Sequence, residues 1–274
     1  MTAVLLALAS AALFGGMTVA VRLGLRGVEA GAATLATVIP ALGVGLVGAG
    51  IRHDLHGIWP FLLAGLLAPG GSQILFTLAV REVGASRTSV TVGGAPLVAV
   101  AIAVIFLGEP LGLPLAVGAL GVVAGGVLLG AERDRPVHLR AIGFAFAAAA
   151  ATLFAVRDNL VRDLHAHANP ESAAAATLVA GTVAAIIWTR TLPSRRELMR
   201  LTPAGLCFGL SYICLFEAYW RGRVTVVSPL VATESLWGVA LSAVLFRGSE
   251  RVGLRLGIGA VLVVAGGALI GIYR

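Results

Sequence analysis

The chain has 274 residues, of which 58% are hydrophobic and only 12% are charged, a balance that excludes a water-soluble globular domain. All 20 basic residues are arginine, so chemistry that needs a lysine, such as a P-loop for ATP or a Schiff base, is excluded. The net charge of +7 does not indicate nucleic-acid binding, because the arginines lie at the ends of apolar segments rather than along one stripe.

Apolar segments follow one another along the whole chain, and each is long enough to cross a bilayer, which takes about 17–25 residues. They lie at residues 2–21, 30–50, 58–80, 86–107, 113–130, 140–161, 171–189, 203–220, 224–246 and 252–272. The sequence therefore predicts an all-α integral membrane protein with ten transmembrane helices and short loops. Within the third segment, residues 69–73 read Pro-Gly-Gly-Ser-Gln, where we expect the helix to break.

The second half of the chain repeats the first. Residues 118–130 read GALGVVAGGVLLG and residues 259–271 read GAVLVVAGGALIG, which are identical at nine positions with an offset of 141. Glu109 and Glu250 share this offset, and Arg22 corresponds to Arg162 near the start of each half. Five crossings per half would place the copies upside down relative to each other. We therefore predict two inverted five-helix repeats, at residues 1–131 and 140–274.

A family resemblance lies in the joins between segments. Residues 106–130, FLGEPLGLPLAVGALGVVAGGVLLG, resemble the EamA-type members of the drug/metabolite transporter superfamily, in which a helix ends in Leu-Gly-Glu before a Gly-rich span. Residues 76–90 resemble the family's join between the third and fourth spans, whereas residues 247–250, Arg-Gly-Ser-Glu, carry one extra residue. The resemblance implies a secondary transporter with a central cavity between its halves. It leaves the substrate open, because the family exports amino acids, drugs and many other metabolites.

Glu234 is the most informative charged residue, because it lies at the middle of the ninth segment. A carboxylate at that depth costs at least ~2.5–3.5 kcal/mol, so it must face a cavity, be paired or carry a proton. We expect it to bind substrate or couple transport to protons; the alternative is a protonated side chain that hydrogen-bonds across a helix interface. Trp237 lies one turn further on and should share the same face.

Three other charges lie nearer one membrane face. Arg157 and Asp158 precede the end of the sixth segment, and Glu217 precedes the end of the eighth. Because both segments end on the same side, Arg157 and Glu217 lie at similar depth, and a buried pair between them is one interpretation. In the other interpretation, Arg157 extends towards the interface and Asp158 pairs with Arg162.

Uncharged polar residues supply further candidates. Tyr212, Gln73 and Thr18 could each donate a hydrogen bond to a substrate, and each is equally well explained as a link between helices. Tyr219 and Trp220 lie beside Arg221, so we interpret them as part of the aromatic belt at the membrane interface.

These observations favour a transporter over an enzyme. Intramembrane acids outnumber bases, which predicts a cationic or zwitterionic substrate such as an amino acid or amine, exported across a bacterial plasma membrane in exchange for protons. The loop histidines at 53, 56, 165 and 167 match no strong ligand motif, so no metal or cofactor is predicted. The alternative is a non-transporting membrane protein, either an intramembrane enzyme or a receptor-like scaffold.

Charge also predicts the orientation in the membrane. Loops on the side of residues 190–200 carry 14 arginines and the opposite side carries five, which places the arginine-rich side in the cytoplasm and both termini outside, the reverse of the family's usual arrangement. A Ser194→Cys variant with Cys207 and Cys214 replaced should therefore resist an impermeant thiol reagent in intact cells and react after lysis. Labelling in intact cells would contradict this prediction and indicate the opposite orientation, with both termini in the cytoplasm.

Overall fold

The computed structural model describes residues 1–24, 27–52, 54–83, 91–130, 141–189, 191–245 and 254–273, and the regular elements in these ranges are all helical. His53, Glu250 and the departure from the family pattern at residues 247–250 lie outside the described residues. The helices are α1 Thr2–Gly24, α2 Ala30–Arg52, α3 Trp59–Gly65, α4 Ser72–Val83, α5 Ala95–Phe106, α6 Leu113–Gly130, α7 Ala141–Asp163, α8 Pro170–Trp188, α9 Arg195–Arg221, α10 Val224–Val231, α11 Glu234–Leu245 and α12 Leu254–Tyr273.

Length and hydropathy agree with a membrane protein. Among the described residues, six helical stretches are long and apolar enough to cross a bilayer: Thr2–Val21, Gly31–Arg52, Trp59–Phe76, Ile142–Ala166, Pro170–Trp188 and Arg195–Arg221. Ala95–Phe106, Leu113–Leu128 and Ile258–Tyr273 are shorter apolar helices. The all-α membrane class is therefore confirmed, and the count of ten crossings stays a prediction.

The third segment is broken where the sequence predicts it. α3 ends at Gly65, a π-helical turn follows at Leu66–Gly71, and Ala68 has non-helical backbone angles, φ −146° and ψ 122°. Pro69 lies directly against Gly181 of α8, so the break is covered by protein. Irregular backbone at membrane depth is tolerated only where it is buried in this way or lines a cavity.

The ninth segment is also broken, whereas the sequence predicted one continuous span over residues 224–246. α10 ends at Val231, and α11 begins at Glu234 after a turn. Thr233 N donates to Leu230 O at 3.1 Å, and Gly94 N donates to Thr91 O at 3.2 Å in the first half. The next hydrogen bonds correspond as well. Leu236 N and Trp237 N both donate to Thr233 O, and Leu97 N and Val98 N both donate to Gly94 O. The repeat therefore includes a helix break at the same place in each half.

The eighth segment begins earlier than expected. α9 starts at Arg195 rather than near residue 203, because Ser194 and Glu197 form a capping box: Ser194 N donates to Glu197 Oε2 at 2.7 Å and Glu197 N to Ser194 Oγ at 3.3 Å. The arginine-rich segment that we expected to be a loop is thus largely the first turns of a 27-residue helix.

The two repeated glycine-rich segments pack directly against each other. A Cβ atom on Gly125 of α6 would lie 2.6 Å from Gly259 O, and one on Gly266 of α12 would lie 2.6 Å from Gly118 O. Gly125 and Gly266 are equivalent in the repeat, as are Gly118 and Gly259. The packing is therefore reciprocal, as a twofold axis between the two helices requires.

Most helix contacts cross from one half of the chain to the other. α1 packs on α9 and α11, α2 packs on α8 and α9, and α4 and α5 pack on α7. Between α1 and α9, Ser10 Oγ donates to Ser211 O at 3.0 Å and Ser211 Oγ donates to Ser10 O at 2.9 Å, in a fully buried pair. The halves are therefore interleaved rather than stacked as separate lobes.

The glycine contact generates a stability prediction. Gly266→Ala should lower the thermal unfolding temperature of the purified protein, because its Cβ would meet Gly118 O and Val122 N; we expect a loss of about 1–3 kcal/mol. Gly271→Ala on the same helix is the matched control, since a Cβ there meets nothing within 4 Å and alanine favours helix formation. Equal unfolding temperatures for the two variants would contradict the proposed close packing.

Candidate functional site

A buried ion pair lies on α7. Arg157 Nε and Asp158 Oδ1 are 2.8 Å apart, and the two side chains are only 5% and 13% exposed. Such a pair is expensive to desolvate and is weak evidence for stability, but the loss of one partner leaves an uncompensated buried charge. Its position inside an apolar bundle makes the pair a candidate for the functional site.

Aromatic rings surround the Arg157 guanidinium. Its Cζ atom lies 5.0 Å from the centroid of the Tyr212 ring on α9 and 5.9 Å from the centroid of the Phe154 ring. Both contacts stabilise a desolvated cation. Among the described residues, Arg157 Nη1 and the Tyr212 hydroxyl make no hydrogen bond of regular geometry, and the two groups lie close enough to interact with each other.

Glu234 is the first residue of α11 and is partly buried. The N-terminus of a half-helix favours a negative charge, because its free N–H groups and dipole point towards it. Asp158 lies within electrostatic range of Glu234, which places Glu234 in the neighbourhood of the Arg157–Asp158 ion pair; these three residues are the polar cluster. Gly15 of α1 makes room for this arrangement, since a Cβ there would lie 2.9 Å from Glu234 O.

Trp237 lies one turn along α11 from Glu234 and is 40% exposed. Its Cβ atom packs against α1, because a Cβ on Gly15 would lie 2.8 Å from it. Trp237 is therefore next to Glu234 along α11, with much of its side chain exposed.

Tyr219 is not an interfacial belt residue, and that prediction is wrong. Its side chain is fully buried and interacts with Asp158 and with Ser228 of α10. The C-terminal half of α9 packs between α7 and α10, so a side chain near its end faces protein instead of the interface. The helical spacing of Tyr212 and Tyr219 was the signal, because seven residues bring both rings to the same face.

The predicted pair between Arg157 and Glu217 is also wrong. Glu217 forms an ion pair with Arg221 one turn later on α9, and Arg157 pairs with Asp158. Tyr212 and Glu217 are five residues apart, about 140° around the helix, so only Tyr212 can face Arg157. The alternative fails as well, since Arg162 donates to Tyr219 O at 2.9 Å rather than pairing with Asp158.

The remaining candidates lie apart from these contacts. Thr18 on α1 is exposed, and its hydroxyl donates to Phe14 O of the same helix at 3.1 Å. Gln73 is the second residue of α4, directly after the π-helical turn, and is partly buried. Of the predicted site residues, the structure brings together Arg157, Asp158, Tyr212 and Glu234. Among the described residues, no group of three or more potential metal ligands is found.

Comparison with known proteins decides the family. Residues 1–131 and 141–272 each match the model of the EamA-like transporter family. The chain belongs to this family. A solved structure titled "Crystal structure of protein" has the same fold, with a TM-score of 0.84 at 20% sequence identity, over 99% of this chain and 96% of that one. No curated protein matches the sequence.

The EamA-like signature residue Glu109 has a contact that the sequence did not predict. Glu109 Oε1 accepts a hydrogen bond from Val224 N at 2.9 Å, and Oε2 accepts one from Thr225 N at 2.8 Å. Its carboxylate therefore caps the first turn of α10. The preceding Gly108 has φ +64°, a left-handed conformation that favours glycine and turns the chain after α5. The sequence signal for this residue was the repeat, in which Glu109 recurs as Glu250 at the same offset of 141.

The two ion pairs should differ in their contribution to stability. Asp158→Asn leaves the Arg157 charge buried without its partner, so we expect a loss of about 3–5 kcal/mol in unfolding free energy. Glu217→Gln removes a pair in which Arg221 is 46% exposed, so we expect at most about 1 kcal/mol. Thermal unfolding of the purified variants in one detergent measures both, and an equal loss would contradict the assignment of the pairs.

Proposed function

We propose that this EamA-like chain is a secondary exporter of small cationic or zwitterionic metabolites, such as amino acids or amines, in a bacterial plasma membrane. Ten crossings in two inverted repeats, residues 1–131 and 140–274, would give alternating access. The observation that carries the proposal is the cluster of Arg157, Asp158 and Glu234 at the break between α10 and α11. Helix breaks at equivalent positions of two repeats are typical of transporter binding sites.

The charges of the cluster support the substrate class. Arg157 and Asp158 neutralise each other, which leaves Glu234 as the acid without a basic partner in the cluster. A single positive group balances it, whether a proton or the ammonium group of a substrate. The Glu234 carboxylate can hold either the proton or the ammonium group, so binding of the substrate releases the proton. This competition is what exchange of substrate for protons requires.

Arg157 supports the extension of the proposal to zwitterions. The guanidinium edge at Nη1 is buried and makes no hydrogen bond of regular geometry among the described residues. A carboxylate is the natural acceptor for such an edge. An amino acid could thus place its ammonium group at Glu234 and its carboxylate at Arg157, with the Tyr212 ring beneath the guanidinium.

The central test is Glu234→Gln, which keeps the size of the side chain and removes its charge. The substrate is first found by a thermal-shift screen against amino acids, amines and sugars, since a ligand that binds the folded state raises its melting temperature. In proteoliposomes with an imposed pH gradient, we expect uphill transport to fall about ten- to hundredfold, as loss of a hydrogen bond to a charged group of ~1.5–3 kcal/mol implies.

Glu197→Gln is the matched control, because it makes the same change in a capping residue at the start of α9. It should transport at the wild-type rate. Wild-type flux with unchanged pH dependence in Glu234→Gln would overturn the proposal, and saturable flux would exclude a receptor-like scaffold.

A further inference from the structure

One end of the bundle is closed by polar contacts between the repeats. At this end, α2 finishes near Asp54, whose carbonyl accepts hydrogen bonds from Asn169 Nδ2 at 3.0 Å and Ser172 Oγ at 2.6 Å. Arg52 of α2 pairs with Glu171 of α8 at 2.9 Å. The connection after α2 is therefore fixed to the connection between α7 and α8, which belongs to the other repeat.

Glu109 is a further buried link at this end. Its side chain is 8% exposed, and it reaches from the chain after α5, in the first repeat, to Val224 and Thr225 in the second. Arg162 of α7 lies beside it, with Nε 4.0 Å from Glu109 Oε1, and donates to Tyr219 O of α9. The Glu109 carboxylate thus connects the chain after α5 with α10 and lies beside α7, and Arg162 extends this link to α9.

α10 connects this carboxylate to the proposed site. The helix runs for eight residues from Val224 to Val231, and Glu234 follows after the turn. Ser228, in its middle, interacts with Tyr219 and is only 3% exposed. Because a helix of two turns moves as a unit, the position of its first turn determines where its last turn and Glu234 lie.

We propose that Glu109 is a positioning residue for transport: its carboxylate holds α10 in place while this end of the molecule is closed, and release of α10 from Glu109 opens the path to Glu234. The inference rests on the proposed function only in that the molecule alternates between two states. In the open state, water would solvate both the carboxylate and the freed N–H groups, so the contact can break without leaving buried polar atoms unpaired.

The test measures access to two reporter cysteines in a protein with Cys207 and Cys214 replaced by alanine. Ser228→Cys reports the end closed by Glu109. Ala36→Cys reports the opposite half of α2, where Ala36 is buried with Ala33 and Leu201. The reagent is a water-soluble maleimide, the protein is purified in detergent, and no substrate is present.

Glu109→Gln should increase the labelling rate of Ser228→Cys about tenfold, because an amide has an NH2 donor in place of one of the two acceptor oxygens and carries no charge. The rate of Ala36→Cys should stay the same or fall. Equal acceleration of both reporters would mean general loosening of the fold, and no acceleration of Ser228→Cys would mean that Glu109 holds nothing closed; either result overturns the inference.

A second variant removes a donor and leaves Glu109 unchanged. Val224→Pro deletes one N–H at the first position of α10, where proline is tolerated, and Arg223 before it already has the extended ψ of 151° that proline requires. It should also accelerate Ser228→Cys selectively, so the inference remains testable if Glu109→Gln does not fold.

Glu197→Gln is the matched control for the charge change, since its capping contact lies within one helix, and it should alter neither reporter. Because the assay contains no substrate, its outcome is separate from the transport test. If neither Glu109→Gln nor Val224→Pro selectively accelerates the labelling of Ser228→Cys, the role of Glu109 is contradicted. Normal transport by Glu234→Gln would instead contradict the proposed function.

Discussion

The reciprocal contact of Gly125 and Gly266 is the constraint on which the rest of the bundle depends. Each glycine lies against a backbone carbonyl of the other repeat, so α6 and α12 approach closely only because both positions lack a side chain. In lipid, helix association relies on such close packing rather than on the hydrophobic effect. Since the contact joins equivalent segments of the two repeats, it lies on the axis that relates one half to the other.

Interleaving of the halves then explains where the polar groups can lie. α1 and α2 of the first half pack on α9 of the second, and α7 packs on α4 and α5. Arg157 and Asp158 on α7, Tyr212 on α9 and Glu234 on α11 therefore converge from different helices, and none of them faces lipid alone. All four residues belong to the second repeat, so a displacement between the halves would leave their mutual contacts in place and change their contacts with the first repeat, such as that of Glu234 O with Gly15 of α1.

The sequence predicted those features that depend on composition and repetition. The apolar segments, the repeat and the break near Pro69 could be predicted because they rest on hydropathy, identity and the missing N–H of proline. Four of the proposed site residues could be found because a charge or aromatic side chain within an apolar segment is conspicuous.

The partners of these residues could not be predicted, because they depend on how helices rotate against one another. Arg157 meets Tyr212 and not Glu217 because of an angle around α9, which depth along the membrane does not determine. The break before Glu234 was not predicted, and neither was the equivalent break in the fourth segment, although that segment contains Gly93 and Gly94. Its hydrogen bonds became recognisable only by comparison of the two halves.

The matching breaks also show that the two repeats have similar backbones but different charges at equivalent positions. The hydrogen bonds equate Thr233 with Gly94, so the residue equivalent to Glu234 is Ala95, and the Arg157–Asp158 pair corresponds to Met17 and Thr18. The first repeat has neutral side chains where the second has ions. In the proposed transport cycle, a solute between the two halves would therefore meet charges on the second repeat and neutral groups at the equivalent positions of the first.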